Sequence, residues 1–323
     1  MSTLKIVGAG SWGTALAIAL SPRFERVELW ARDGALASAM NRERENSRYL
    51  AGFALPGNVH ATNSLEGAAD FILNVVPSQH TRQVFSSFQI SSGARLVSAS
   101  KGIEKGTLMR VSQLMGEVTG WPVAVLSGPS FAREVASGEP AAMVVAAAEP
   151  ALAAAVQEAF STPLFRLYTS PDVIGVELGA ALKNVIAIAA GVVQGLGLGS
   201  NTRAALMARG LAEITRLAVA MGAEARTLAG LAGLGDLVLT CTGELSRNRR
   251  VGLELAQGKA LSDILKQMGM VAEGVDTTVA ALELAERHHV EMPITSQVAV
   301  LLRGEQSPSE AIRQLMVRSL KSE

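Results

Sequence analysis

Gly8-Ala9-Gly10-Ser11-Trp12-Gly13-Thr14 follows the short apolar run Leu4-Lys5-Ile6-Val7 and leads into the small-residue run Ala15-Leu16-Ala17-Ile18-Ala19-Leu20. Strand, glycine turn and helix in that order are the context that gives a G-x-G-x-x-G spacing its meaning. Gly8 allows the tight turn, Gly10 lets the backbone approach a pyrophosphate, and Gly13 permits close helix–strand packing. The free N–H groups of the helix start then face the phosphates. A second apolar run, Val27-Glu28-Leu29-Trp30-Ala31, arrives at the distance this reading requires. An NAD site usually places Asp or Glu at the end of that strand, roughly 20 residues after the glycines, to hold the ribose hydroxyls. Here Ala31 stands at the aligned position and Arg32 follows. A guanidinium suits a 2′-phosphate, so NADP is admitted beside NAD. Asp33 is the competing reading, because a small shift of register restores the acid.

The chain has 323 residues, more than one ordinary core takes, so two domains are expected. With 49% hydrophobic and 18% charged residues it reads as globular and well buried. Lys+Arg and Asp+Glu number 29 each, which removes any global electrostatic argument for nucleic acid or a membrane surface. The single cysteine, Cys241, excludes an intramolecular disulfide and suits a reducing compartment. No basic-then-apolar leader opens the chain, because the strand and glycine turn begin by residue 4. The most membrane-like stretch, Asn184 to Gly199, is glycine-rich, carries Gln194 and is short for a span needing about 20 apolar residues. A buried helix and a cytoplasmic protein are the expectation.

The first half alternates apolar runs with helical segments, the pattern of a doubly wound parallel sheet. After the two strands come Phe71 to Val76, Leu96 to Ala99, Val123 to Leu126 and Met143 to Ala146, with Phe165 to Tyr168 as a last edge strand. Several end in polar or glycine-rich loops: Pro77-Ser78, Ser100-Lys101-Gly102, and Ser127-Gly128-Pro129-Ser130. Ligands of open α/β sheets sit beyond the carboxyl ends of strands, so these loops are expected at the cofactor. From residue 172 strand-like runs give way to helical periodicity: Val173 to Gly195, then Asn201 to Met221, Leu253 to Ala256, Leu261 to Met268, Thr277 to His289, Ile294 to Leu302 and Pro308 to Ser319. The expected division is a Rossmann-type dinucleotide-binding domain over 1–171 and an all-α domain over 172–323. The long apolar helices suggest a homodimer.

Three concentrations of polar residues carry possible chemistry. Lys183 sits within the apolar helix sequence Leu178 to Ile186, where an unpaired ammonium is costly. Either it is placed for proton transfer, or its stem lies on the helix and its head reaches solvent or Glu177. Asp236, within Gly233-Leu234-Gly235-Asp236-Leu237, is either a helix N-cap or the buried partner of a cation. Ser246-Arg247-Asn248-Arg249-Arg250 fits recognition of a small phosphate, or else is a solvated basic face. His60, His80, His288 and His289 show no metal spacing, and neither a nucleophile elbow nor a P-loop lysine appears. Hydride transfer with a lysine acid is the chemistry these residues support.

Together the blocks resemble the bacterial NAD(P)-dependent sn-glycerol-3-phosphate dehydrogenase family over essentially the whole chain. The likeness rests on Gly8 to Thr14, Trp30-Ala31-Arg32-Asp33, Val76-Pro77-Ser78, Ser100 to Glu104, Ser127 to Ala132, Glu177-Leu178, Lys183-Asn184, Gly233 to Asp236, Ser246-Arg247-Asn248 and Glu273-Gly274-Val275. Ala51, in Tyr49-Leu50-Ala51-Gly52, departs from the proline often found in the family. The resemblance implies interconversion of dihydroxyacetone phosphate and sn-glycerol 3-phosphate for phospholipid synthesis. It implies Lys183 as the proton carrier and Asp236 as its electrostatic partner. Lys101, Gly128, Ser130, Ser246, Arg247 and Asn248 are implied substrate residues. Ser11, Trp12, Arg32, His80, Lys101, Ala132, Arg247, Val271 and Glu273 are implied at the cofactor, with Gly8, Gly10 and Gly13. Related two-domain plans serve β-hydroxyacid and ketopantoate-type reductases; the Ser246-Arg247-Asn248 cluster favours a phosphorylated substrate. A redox-sensing binder without turnover would not need Lys183, Asp236 and Arg247 together.

Overall fold

The computed structural model describes residues 2–268 and 271–317. Its first half contains ten strands: β1 (Thr3–Val7), β2 (Arg26–Trp30), β3 (Glu45–Asn46), β4 (Leu50–Ala54), β5 (Val59–Thr62), β6 (Phe71–Asn74), β7 (Arg95–Ser98), β8 (Val123–Ser127), β9 (Ala141–Ala146) and β10 (Phe165–Ser170). Eight form one sheet in the order β10-β9-β8-β7-β6-β1-β2-β5, while β3 and β4 make a separate antiparallel pair. The strand cores are continuous apolar runs, as parallel strands covered on both faces require. Leu4, Ile6, Val27, Leu29, Leu73, Val97 and Val145 are all buried.

Pairing is parallel from β5 to β8 and again between β9 and β10, but β8 and β9 are antiparallel. The expected all-parallel sheet is therefore mixed at that junction, a common device at the margin of large α/β sheets. β5 was absent from the sequence reading, since Val-His-Ala-Thr is short and half polar, and it closes the edge opposite β10. Because β1, β2, β6, β7 and β8 run the same way, their carboxyl ends share one sheet edge.

No strand occurs from residue 173 onward among the described residues. The 23-residue helix Val173–Gly195 opens this half. It is long and apolar enough to cross a membrane, with a mean hydropathy of 1.7, yet 89% of that stretch is buried within the chain. It is a core helix, apolar on most faces because it is covered on most faces. The apolar surface of this helix is spent on the chain's own interior. Ser200–Ala220, Ala225–Leu228, Asp236–Thr242, Arg247–Ala256, Leu261–Met268, Glu273–Arg287, Pro293–Leu302 and Pro308–Met316 follow. Two helices start several residues earlier than periodicity indicated, at Arg247 and Glu273. The last expected helix extended to Ser319, which lies outside the described residues.

By its internal contacts the chain divides into Met1–Lys101 with Met109–Val176, and Gly102–Leu108 with Glu177–Glu323. The short segment Gly102–Leu108 thus groups with the helical unit, where Lys105 Nζ meets Asp276 Oδ1 at 2.5 Å.

Candidate active site

In the first unit the glycine turn has the form the motif needs. Gly8 has φ +124°, a conformation that side chains rarely adopt, and its N–H donates to the Trp30 carbonyl at 3.1 Å. A Cβ on Gly13 would stand 1.9 Å from the Gly8 carbonyl oxygen, so helix and strand meet here backbone to backbone. Gly10 differs. Its φ is −75° and a Cβ there would meet nothing within 4 Å, so the chain itself does not demand glycine. Close approach of a ligand does.

Gly10 is the N-cap of helix Ser11–Leu20, without a side-chain cap and without an acidic residue in the first turn. The leading N–H groups are thus left for an anion. The Trp12 Nε1 is buried without a hydrogen-bond partner, an unusual cost that a bound group at this turn would offset. These features fit a dinucleotide.

Arg32 is exposed past the end of β2. The competing acid, Asp33, is already engaged. Its Oδ1 accepts from the N–H groups of Ala35 (2.9 Å) and Leu36 (3.3 Å) to cap helix Gly34–Glu43, and its Oδ2 lies 3.4 Å from Arg48. Beyond β7 and β8, Lys101 Nζ donates to the Gly128 carbonyl at 3.2 Å and Ser130 Oγ donates to the same oxygen at 3.0 Å. Lys101, Gly128 and Ser130 are thus one cluster, with Ala132 opening the helix that follows. His80 is exposed in the first turn after β6.

In the second unit Lys183 is 6% exposed and Asp236 1%. Lys183 Nζ donates to Asp236 Oδ1 at 2.5 Å and to Thr240 Oγ1 at 2.6 Å. The Thr240 hydroxyl in turn donates a hydrogen bond to the Asp236 backbone carbonyl at 2.6 Å. Of the alternatives open for Asp236, the cation partner holds: the N-cap of Asp236–Thr242 is Gly235, and the carboxylate faces the lysine. A buried ammonium is tolerated because it is paired and hydrogen-bonded. Cys241, next in sequence, is buried, and burial pushes its thiol up to about 12, so it is no nucleophile at neutral pH.

Asn184, adjacent to Lys183, accepts at Oδ1 from Asn248 Nδ2 at 2.9 Å, and Asn248 Oδ1 accepts from the Gly274 N–H at 3.0 Å. The long helix, the start of Arg247–Ala256 and the start of Glu273–Arg287 are thereby pinned together. Their approach depends on two glycines: a Cβ on Gly252 would stand 1.8 Å from the Ile188 carbonyl oxygen, and one on Gly191 1.9 Å from that of Arg249. Ser246 caps its helix by accepting from the Arg249 N–H at 3.2 Å. Arg247 is exposed at the first position of that helix, and Val271 is exposed two residues before Glu273. The cluster read as a possible basic face therefore starts a helix whose side chains are tied to the residue beside Lys183.

Two family models span most of the chain. The N-terminal model of NAD-dependent glycerol-3-phosphate dehydrogenase matches residues 3–153, and the C-terminal model matches residues 172–313. The chain belongs to the NAD-dependent glycerol-3-phosphate dehydrogenase family. A relative from Geobacter sulfurreducens, named glycerol-3-phosphate dehydrogenase (NAD(P)+), is 54% identical over 327 residues, with 98% of each chain covered. The crystal structure of glycerol-3-phosphate dehydrogenase from Coxiella burnetii superposes with a TM-score of 0.94 at 40% identity, covering 98% of this chain and 99% of that one. A ketopantoate reductase from Ralstonia eutropha reaches a TM-score of 0.62 at 17% identity, covering 96% and 99%, a likeness of fold alone.

Thr240, Asn184 as a partner of Asn248, and Asn46 were not singled out from the sequence. Thr240 was within reach of sequence, because it lies four residues after Asp236 and so on the same helical face. The two asparagines had no sequence signal, being 64 residues apart.

Proposed function

We propose that this chain interconverts dihydroxyacetone phosphate and sn-glycerol 3-phosphate with NADP(H) or NAD(H), supplying glycerol 3-phosphate to glycerophospholipid synthesis. The observation that carries the reading is the buried Lys183–Asp236–Thr240 cluster beside the Asn184–Asn248 pair, in a chain of this family. When bound, the nicotinamide supplies hydride to the C2 carbonyl carbon, or takes it in the reverse direction.

Lys183 performs the proton half of the reaction. It protonates the C2 oxygen as that oxygen gains charge, and in reverse takes the C2 hydroxyl proton. Asp236, with Thr240, pairs with the Lys183 side-chain nitrogen and fixes its direction. Ser246, Arg247 and Asn248, with Lys101, Gly128 and Ser130, bind the substrate; Arg247 supplies the bidentate grip that a phosphate favours. Gly8, Gly10, Ser11, Trp12, Gly13, Arg32, His80, Lys101, Ala132, Arg247, Val271 and Glu273 form the cofactor set. We assign 1–171 to cofactor binding and 172–323 to substrate binding and proton transfer. Arg32, with Asp33 committed to its helix cap and to Arg48, favours a 2′-phosphate without excluding NAD.

The direct test is oxidation of NADPH and of NADH by the purified chain with dihydroxyacetone phosphate. Turnover with either cofactor is expected, faster at low NADPH than at equal NADH. Absence of turnover with both would sink the assignment. Arg32→Ala is expected to raise the KM for NADPH and leave that for NADH near its original value. We assign the enzyme to the cytoplasm as a homodimer; exposed apolar side chains such as Val219, Leu234 and Val238 support a second copy, and sedimentation at the monomer mass would refute it.

A further inference from the structure

Asn46 ends the two-residue strand β3, outside the main sheet, and is 0% exposed. A buried primary amide brings two N–H donors and a carbonyl acceptor that all need partners. Its Nδ2 donates to the Ala9 carbonyl at 2.9 Å and to Thr14 Oγ1 at 2.8 Å, while its Oδ1 accepts from the Tyr49 N–H at 3.3 Å. Ala9 lies between the first two glycines of the turn. Thr14 is the residue whose N–H closes on the Gly10 carbonyl at 3.0 Å, making the first helical hydrogen bond. One amide therefore bridges the turn and the first coil of the helix from the interior side.

The peptide geometry gives this bridge a consequence. In a trans peptide the C=O and the following N–H point in opposite directions, and the chain contains no cis peptide among the described residues. With the Ala9 carbonyl drawn to Asn46, the Gly10 N–H faces away from it. Flipping that peptide, which neighbouring glycines would allow at little steric cost, would aim a carbonyl oxygen where the N–H had been. An oxygen so placed would repel an anion.

We propose that Asn46 is a positioning residue for the dinucleotide: it locks the Ala9–Gly10 peptide in the orientation that receives the pyrophosphate. The proposal rests on reading the Gly8–Gly13 turn as the phosphate site. Asn46→Asp keeps the shape and turns both donors into acceptors. It is expected to raise the Kd for NADPH, read by NADPH fluorescence titration, about tenfold or more. At saturating NADPH its kcat and its KM for dihydroxyacetone phosphate stay within about threefold of the parent chain. Thr14→Val removes one leg and should weaken NADPH by about threefold, whereas Thr14→Ser restores it.

A purely structural role would lower the melting temperature and leave the Kd where it was. A folded Asn46→Asp chain with a Kd within twofold of the parent would therefore overturn the proposal. If that variant does not fold, an unchanged Kd in Thr14→Val overturns it instead. Gly10→Ala, which the fold accommodates, separates the two readings. Loss of NADPH binding there with normal binding in Asn46→Asp removes only the role of Asn46; normal binding in Gly10→Ala removes the phosphate turn itself.

Discussion

Lys183 shows how one charge can be read twice from sequence and once from structure. An ammonium among Leu178, Ala181, Leu182 and Val185 is costly unless a partner is supplied, and Asp236 supplies it from 53 residues away. Lys183→Ala is expected to cut turnover by roughly 10²–10⁴-fold while leaving NADPH affinity nearly intact. An unchanged kcat would remove the proton-transfer role. The same variant strands Asp236 as a buried, uncompensated carboxylate, so it should also lose about 3 kcal/mol or more of stability. Adding Asp236→Asn should restore stability but not turnover, which distinguishes the two effects. Arg247, exposed at the start of its helix, should behave otherwise: Arg247→Ala is expected to raise the KM for dihydroxyacetone phosphate by at least about tenfold. A KM that stayed put while only cofactor affinity fell would make it a cofactor residue alone.

The helix Arg247–Ala256 reaches the long helix through Gly252 and Gly191, where each would-be Cβ lies within 2 Å of a backbone oxygen. No side chain can yield at such a contact, so the helices must part. Gly252→Ala is expected to destabilise the fold by about 3 kcal/mol and to raise the substrate KM, because Asn248 moves with its helix. A variant with parental stability in urea would mean that the crossing adjusts cheaply. A second element-scale device is Glu213, 1% exposed on helix Ser200–Ala220. It accepts from the N–H groups of Ile294 (2.6 Å) and Thr295 (3.2 Å), satisfying the start of helix Pro293–Leu302. Burial, opposed by those donors, raises its carboxyl above the ordinary range. The folded form then holds the proton more tightly than the unfolded form. That contribution to stability is complete below the ordinary carboxylate value and fades as pH rises through the raised one. Glu213→Gln should flatten this weakly acidic stretch of the stability profile; an identical slope in the variant would assign it to another group.

At the scale of the molecule, the Gly8–Gly13 turn and the Lys183–Asp236 pair belong to different units of one chain. A ligand that binds only the folded form stabilises it by RT ln(1 + [L]/Kd), about 2.7 kcal/mol at a hundredfold excess over Kd. NADPH is therefore expected to raise the melting temperature of the parent chain and of Lys183→Ala alike, since Lys183 lies outside the cofactor set. A rise in the parent alone would place Lys183 in cofactor binding. At this scale the sequence was partly legible. Seven of the main-sheet strands and the change to helices near residue 172 follow from periodicity, which local burial imposes on any apolar segment. The antiparallel step at β9 does not, because an apolar run reads the same in either direction. β5 was missed because an edge strand of Val-His-Ala-Thr carries too little apolar pattern to stand out. Nor could sequence assign Gly102–Leu108 to the helical unit, since that grouping depends on contacts such as Lys105 with Asp276, far along the chain.

By itself the sequence determined the glycine turn after β1, seven of the main-sheet strands with the change to helices near residue 172, and the residue types proposed for proton transfer and phosphate binding. Each of these is local: a glycine spacing, a period, or a polar side chain in an apolar run. The tertiary structure alone decided that Lys183 meets Asp236 and Thr240, that Asn248 meets Asn184, and that Asp33 is committed to a helix cap and to Arg48. It alone placed Asn46 behind the glycine turn. The physical reason is common to all of them. A buried polar group must find its partner wherever the packed chain brings one, and separation along the sequence puts no limit on that choice.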